Sequence, residues 1–107
     1  MIFICVRFPV KPEHADQWIE LTRDFTEATR SEEGNLFFDW SRSVEDPHEY
    51  VLVEGFQDDA AEAHVTSEHF KQAQADLPPY LEETPRIINT TIEGTEWSEL
   101  GELAVTK

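Results

Sequence analysis

Two side chains in this sequence could move a proton. His64 lies in the run Ala60-Ala61-Glu62-Ala63-His64-Val65, which reads as helix. A neutral imidazole, with an unperturbed pKa near ~6.5, can accept a proton at pH 7. Glu54 sits in the apolar run Tyr50-Val51-Leu52-Val53-Glu54-Gly55-Phe56, on the same strand face as Leu52 and Phe56. A carboxyl in such company needs either a raised pKa or a specific partner. Two roles stand open for each. His64 is either a general base or a buried anchor bonded to a carboxylate. Glu54 either orients His64 or is a structural anchor, capping a backbone group or pairing with Arg7 or Arg86. His69 is the other histidine near by, but five residues on an unbroken helix turn it about 140° from His64, at ~100° per residue. Joint metal ligation needs a spacing of three or four, so no metal is expected unless a helix break near Ser67 turns His69 inward. No Gly-rich phosphate loop or His/Cys metal cluster is present, and no cofactor is expected.

The elements that must position these groups follow from periodicity. Residues 2–10 alternate as a strand, with Ile2, Ile4, Val6, Phe8 and Val10 on one face and Phe3 and Cys5 on the other. Pro12 opens a helix at a position where its missing N–H costs little, and Trp18, Leu21, Phe25 and Ala28 give it an apolar stripe. Residues 36–43 form a second strand carrying Leu36, Phe38 and Trp40 on one face. Asp46-Pro47 sets a turn into a third strand, 50–56. Asp58 or Asp59 caps a second helical stretch, interrupted near Thr66-Ser67, where Ser67 caps a continuation to Ala75. Pro78-Pro79 stops it, and residues 86–93 make a fourth strand. The order strand, helix, strand, strand, helix, strand is the ferredoxin-like α+β plan, a four-stranded antiparallel sheet with both helices on one face. The domain is expected over residues 1–95, with 96–107 as a carboxy-terminal tail. Strands one and three are apolar on both faces, the pattern of a sheet covered twice. With two helices available, the second cover is a second copy of the chain, and a homodimer packed sheet to sheet is expected.

Composition sets the outer bounds. The chain has 107 residues, 23 acidic against 8 basic, a formal charge of −15 and one cysteine. Phosphate backbones and anionic lipid heads repel such a protein, so neither nucleic acid nor membrane is expected as a partner. Cys5 has no partner for an internal disulfide, the apolar start is interrupted by Arg7, and a cytoplasmic protein is expected. Three Trp, two Tyr and seven Phe supply the apolar surface for a modest core.

Several runs carry a family resemblance. Glu33-Gly34-Asn35-Leu36 into Phe38-Asp39-Trp40, then Ser43, Asp46-Pro47 and the Tyr50–Phe56 strand, are similar to the antibiotic-biosynthesis monooxygenase domain. So is Ala60-Ala61-Glu62-Ala63-His64-Val65-Thr66-Ser67-Glu68-His69-Phe70. The likeness runs from about residue 2 to 93. It implies a dimeric α/β barrel built from two ferredoxin-like sheets, and a chemistry in which electron-rich phenols react with molecular oxygen without metal, flavin or haem. It also implies functional residues at the positions of His64 and Glu54, which the family often fills with His and an acid. Haem-degrading relatives resemble one another in a first-strand Asn and in a Trp and a His on the second helix. Val6, His64 and Gln74 stand at the matching positions, so haem cleavage is not expected.

The resulting expectation is a cofactor-independent monooxygenase acting on a quinol or polycyclic phenol, with His64 as base and Glu54 as its orienting partner. Phe38, Trp40, Tyr50 and Phe70 are candidate pocket walls for a flat ring, against the plainer role of core or interface. Arg86 is a candidate to stabilise a phenolate, against plain ion pairing. The competing expectation is a non-enzymatic dimer of the same fold that binds a small aromatic ligand or serves in a stress response, with His64 structural.

Overall fold

Alternation at period two places Ile4, Val6 and Phe8 of β1 (Ile2–Pro9) on one face of a sheet. The computed structural model, which describes residues 1–106, sets this strand between two others. β2 (Asn35–Arg42) and β3 (Glu49–Phe56) form a hairpin, β4 (Arg86–Thr91) lies on the far side of β1, and the antiparallel order is β2-β3-β1-β4. Cross-strand rows fix the inner face. Ile4, Glu54 and Phe38 lie side by side, as do Val6, Leu52 and Trp40. The ferredoxin-like plan read from the sequence is the observed one.

The helices cover that inner face in pieces. A 3-10 turn over Pro12–Gln17 leads into α1 (Trp18–Leu21) and α2 (Arg23–Arg30). They part at Thr22, whose hydroxyl donates to the Trp18 carbonyl at 2.9 Å and so competes with the regular ladder. The stripe turned to the sheet is therefore Trp18, Thr22, Thr26 and Thr29, all buried, while Leu21 and Ala28 are half-buried. The hydropathy pattern missed these threonines because three hydroxyls on a buried face read as polar. Two bond inward: Thr22 to its own helix and Thr26, whose Oγ1 accepts from Trp40 Nε1 at 2.9 Å.

The second helical stretch is likewise broken, into α3 (Ala61–Val65) and α4 (Glu68–Asp76). Ser67 is extended (φ −70°, ψ 157°) and accepts from the Phe70 N–H, the geometry of an N-cap. At the start of α3 the N-cap is Ala60, without a side-chain cap. Asp58 instead pairs with the amino-terminal ammonium at 3.0 Å, so neither aspartate caps this helix.

The core is aromatic. Trp18, Phe38 and Phe56 are almost wholly buried, and Trp18 meets Trp40 edge-on at 5.9 Å. Burying rings of this size contributes on the order of 4 kcal/mol each. The outer face of the sheet carries Phe3, Cys5, Val51, Val53 and Ile88, with Ile88 75% exposed. Part of the tail crosses that face, where Trp97 packs on Phe37 at 5.4 Å between ring centres. Lys107, the last residue of the expected tail, lies outside the described residues.

Candidate active site

Between the inner sheet face and α4 lies a cavity of about 320 Å³. Its walls are largely apolar, with Ile4, Val6, Leu52 and Ile87 from the strands and Phe25, Phe70 and Leu77 from the helical side, joined by the Gln74 amide. Glu54 and His64 are its ionisable lining residues, and both are buried.

Strand alternation aims Glu54 inward between Ile4 and Phe38, where no strand neighbour offers a hydrogen bond. Burial, with a smaller contribution from the nearby charge of Glu32, raises its pKa from 4.5 to about 7. His64, on α3, brings its Nε2 to 3.8 Å from Glu54 Oε1. That is longer than a hydrogen bond, so the two groups face one another across a gap. The imidazole is wedged between Phe56 and Phe70, with ring centres 4.9 and 5.1 Å away.

Glu54 therefore does not grip His64 in the orienting manner expected from the sequence. The grip comes from Glu32, in the turn between α2 and β2. His64 Nδ1 lies 2.7 Å from Glu32 Oε2, and His69 Nε2 lies 2.5 Å from the same oxygen. The helical-wheel separation of the two histidines does not hold, because the chain breaks at Thr66-Ser67. The Ser67 hydroxyl donates to the His64 carbonyl at 2.6 Å and accepts from the Phe70 N–H at 3.1 Å. This re-aims α4 and swings His69 toward Glu32. Glu32 itself is brought close by Gly34, where an added Cβ would stand 2.1 Å from the Ala60 Cβ. No hydropathy signal marks Glu32, one of two acids in a polar turn. The sole available clue was the conditional one, a break near Ser67.

His64 Nδ1, His69 Nε2 and a Glu32 carboxylate oxygen all lie within 4.8 Å of one another, a donor set that zinc also accepts. Ligand atoms around tetrahedral zinc stand about 3.3 Å apart, given bonds of ~2.0–2.1 Å. As built, both imidazole nitrogens sit closer to the Glu32 oxygen than two zinc ligands stand to each other, and the His64 contact of 2.7 Å has the length of a hydrogen bond.

Of the other candidate residues, Phe70 lines the cavity. Phe38, Trp40 and Tyr50 do not, because strand alternation and the α1–α2 cover pack them into the core. Tyr50 spends its hydroxyl on the Ala15 carbonyl at 2.7 Å. Arg86 pairs across the sheet with Arg7 on the outer face, near Glu49, which forms an ion pair with Arg7. One residue of register separates it from Ile87, which faces the cavity, and that single step puts its charge on the wrong side. Phe25, missed as a wall, contacts His64, His69 and Phe70.

Comparison with known proteins agrees with this fold. The sequence profile of the antibiotic biosynthesis monooxygenase family matches residues 1–76. The putative monooxygenase YcnE of Bacillus subtilis is 29% identical over 72 residues, covering 66% of this chain and 76% of that protein. Among solved structures, a putative antibiotic biosynthesis monooxygenase from Nitrosomonas europaea superposes with a TM-score of 0.79 at 25% identity, covering 88% of this chain and 100% of that one. One of the same description from Deinococcus radiodurans gives 0.79 at 22% identity over 94% of this chain and 100% of that one, a likeness of fold.

Proposed function

The chain belongs to the antibiotic biosynthesis monooxygenase family, and we propose that it is a cofactor-independent monooxygenase acting on a quinol or polycyclic phenol. The observation that carries the reading is the ionisable end of a largely apolar cavity, where Glu54 and His64 face each other 3.8 Å apart. A flat aromatic ring suits the walls, and its hydroxyl or activated C–H suits the gap. His64 Nε2 takes the proton, leaving an electron-rich anion. That anion gives one electron to molecular oxygen, and the radical pair closes to a carbon-bound peroxide. Glu54, protonated near neutral pH, supplies a proton to the peroxide as its O–O bond breaks. The remaining C–H of that carbon breaks at the same time, its electron pair forming the carbonyl that keeps one oxygen atom. Its proton joins the departing hydroxide to give water, and the His64 imidazolium returns a proton to Glu54. The substrate itself supplies all the electrons.

The same reading places the protein in the cytoplasm as a homodimer joined through the outer sheet face, with the tail from residue 96 lying against the joint. Support comes from the apolar Phe3, Val51, Val53 and Ile88 on that face. Among the described residues no helix is long and apolar enough to cross a membrane.

Oxygen uptake with a panel of hydroquinones and anthrones tests the proposal. We expect turnover by the native protein and a fall of at least about 100-fold in His64→Ala, the scale of general-base catalysis. The non-enzymatic alternative draws on the Nδ1 bond that ties α3 to Glu32. It predicts ligand binding without oxygen uptake, and an early-melting His64→Ala protein.

A further inference from the structure

The polar end of the cavity continues behind His64, away from the ligand space. We infer that Glu32 is the positioning residue of this site: clamped by His69, it holds His64 in the tautomer whose Nε2 is bare toward Glu54. The inference deepens the proposed function, and it rests on that reading for the idea that His64 exchanges a proton with a ligand.

The first support is donor arithmetic. A carboxylate can only accept hydrogen bonds, and a neutral imidazole carries a single N–H. His64 Nδ1 and His69 Nε2 both reach the same Glu32 oxygen, at 2.7 and 2.5 Å. Each nitrogen must therefore bring the proton. For His64 that spends its one N–H on the side away from the cavity and leaves the Nε2 lone pair facing the gap. The same logic of a carboxylate behind an imidazole operates in hydrolytic triads.

The second support is rigidity. The Glu32 N–H donates to the Thr29 carbonyl at 3.0 Å, and its own carbonyl accepts from Asn35 at 3.1 Å. The Gly34 contact with Ala60 sets the turn against α3. His69 supplies a second donor from α4, so the carboxylate cannot swing away from His64 without losing both bonds.

The third is charge. Three titratable side chains surround Glu54 on its covered side: His64 from α3, Glu32 from the turn after α2 and, behind them, His69 from α4. The flanking strands β1 and β2 contribute uncharged Ile4 and Phe38. The Glu32 charge helps burial to keep the Glu54 proton in place. The gap then presents a bare nitrogen on one wall and an O–H on the other, an acceptor and a donor for one ligand hydroxyl.

Nuclear magnetic resonance of 15N-histidine-labelled protein tests this without turnover. Long-range proton–nitrogen correlations of neutral His64 should show the proton on Nδ1; a proton on Nε2 as the main form overturns the inference. In Glu32→Gln, which keeps an acceptor oxygen and removes the charge, the Glu54 carboxyl carbon should titrate at lower pH than in the native protein; an unmoved midpoint overturns it too. Addition of one equivalent of zinc to the native protein should leave both imidazoles unchanged. Stoichiometric, chelator-reversible shifts at both would mean that these nitrogens carry a metal and not a proton, and would overturn the assignment. Because none of these readouts uses substrate, the positioning role can fail while oxygen uptake succeeds, and the reverse.

Discussion

Glu54 is where burial and chemistry pull against each other. Its carboxyl holds a proton up to about pH 7 in the folded chain, against an ordinary value of 4.5. Between those values the folded state binds more protons than the unfolded one, so stability falls as pH rises. At about 1.4 kcal/mol per pKa unit, the loss approaches about 3 kcal/mol above pH 7. Glu54→Gln, neutral at every pH, should escape it. We expect its melting temperature to exceed that of the native protein at pH 8 and to come close to it at pH 5, while oxygen uptake drops. Equal pH dependence of melting in the two proteins would show that Glu54 is not the group responsible. Glu54 and His64 were legible in the sequence because a carboxyl and an imidazole beside long apolar runs are conspicuous. Glu32 was not legible: in Ser31-Glu32-Glu33-Gly34 it looks like a solvated turn acid, and its importance depends on a fold that brings residue 32 to residue 64.

At the level of elements, the site depends on two local devices that fix where chain segments stop. Ser67 ends α3 and starts α4 with a single hydroxyl that serves both. Ser67→Ala should cost about 0.5–2 kcal/mol, the range for a lost N-cap, and should loosen His69 from Glu32. Thermal melting and the histidine resonances read the two effects; a native melting curve would mean the cap contributes nothing. Gly34 lets the turn carrying Glu32 approach α3, and even an alanine there meets the Ala60 Cβ at 2.1 Å. Gly34→Val should therefore destabilise by roughly 1–3 kcal/mol through overpacking and displace Glu32, checked by denaturant unfolding. All four strands were legible to within a residue or two because each is a short run rich in β-branched or aromatic residues bounded by turn residues. The unbroken first helix inferred from the stripe was not, since the Thr22 hydroxyl breaks it through a side-chain bond that hydropathy does not register, whereas the break of the second helix at Ser67 was legible because serine is a good cap.

For the whole molecule, the sheet's two apolar faces made the topology readable, but they do not by themselves say what covers the outer one. If a second copy does, two chains bring together a charge of −30, twice −15, and apolar burial must overcome that repulsion. Association should then strengthen as ionic strength rises from about 0.05 M to about 0.5 M, where screening shortens the reach of charge to a few ångströms. Ile88→Asp, on the exposed outer face, should yield monomers by light scattering; an undisturbed dimer would place the joint elsewhere. The cavity lies on the opposite face of the same sheet, so loss of the dimer need not abolish ligand binding. In the proposed reaction this cavity transfers one oxygen atom to a phenolic ring by acid–base chemistry alone. Its most direct test is turnover of an anthrone under 18O2 by the native protein and by a folded His64→Gln variant. We expect product carrying one labelled oxygen per molecule, formed by the native protein and nearly absent with the variant. Unlabelled product, or equal labelled yield from both proteins, would contradict it.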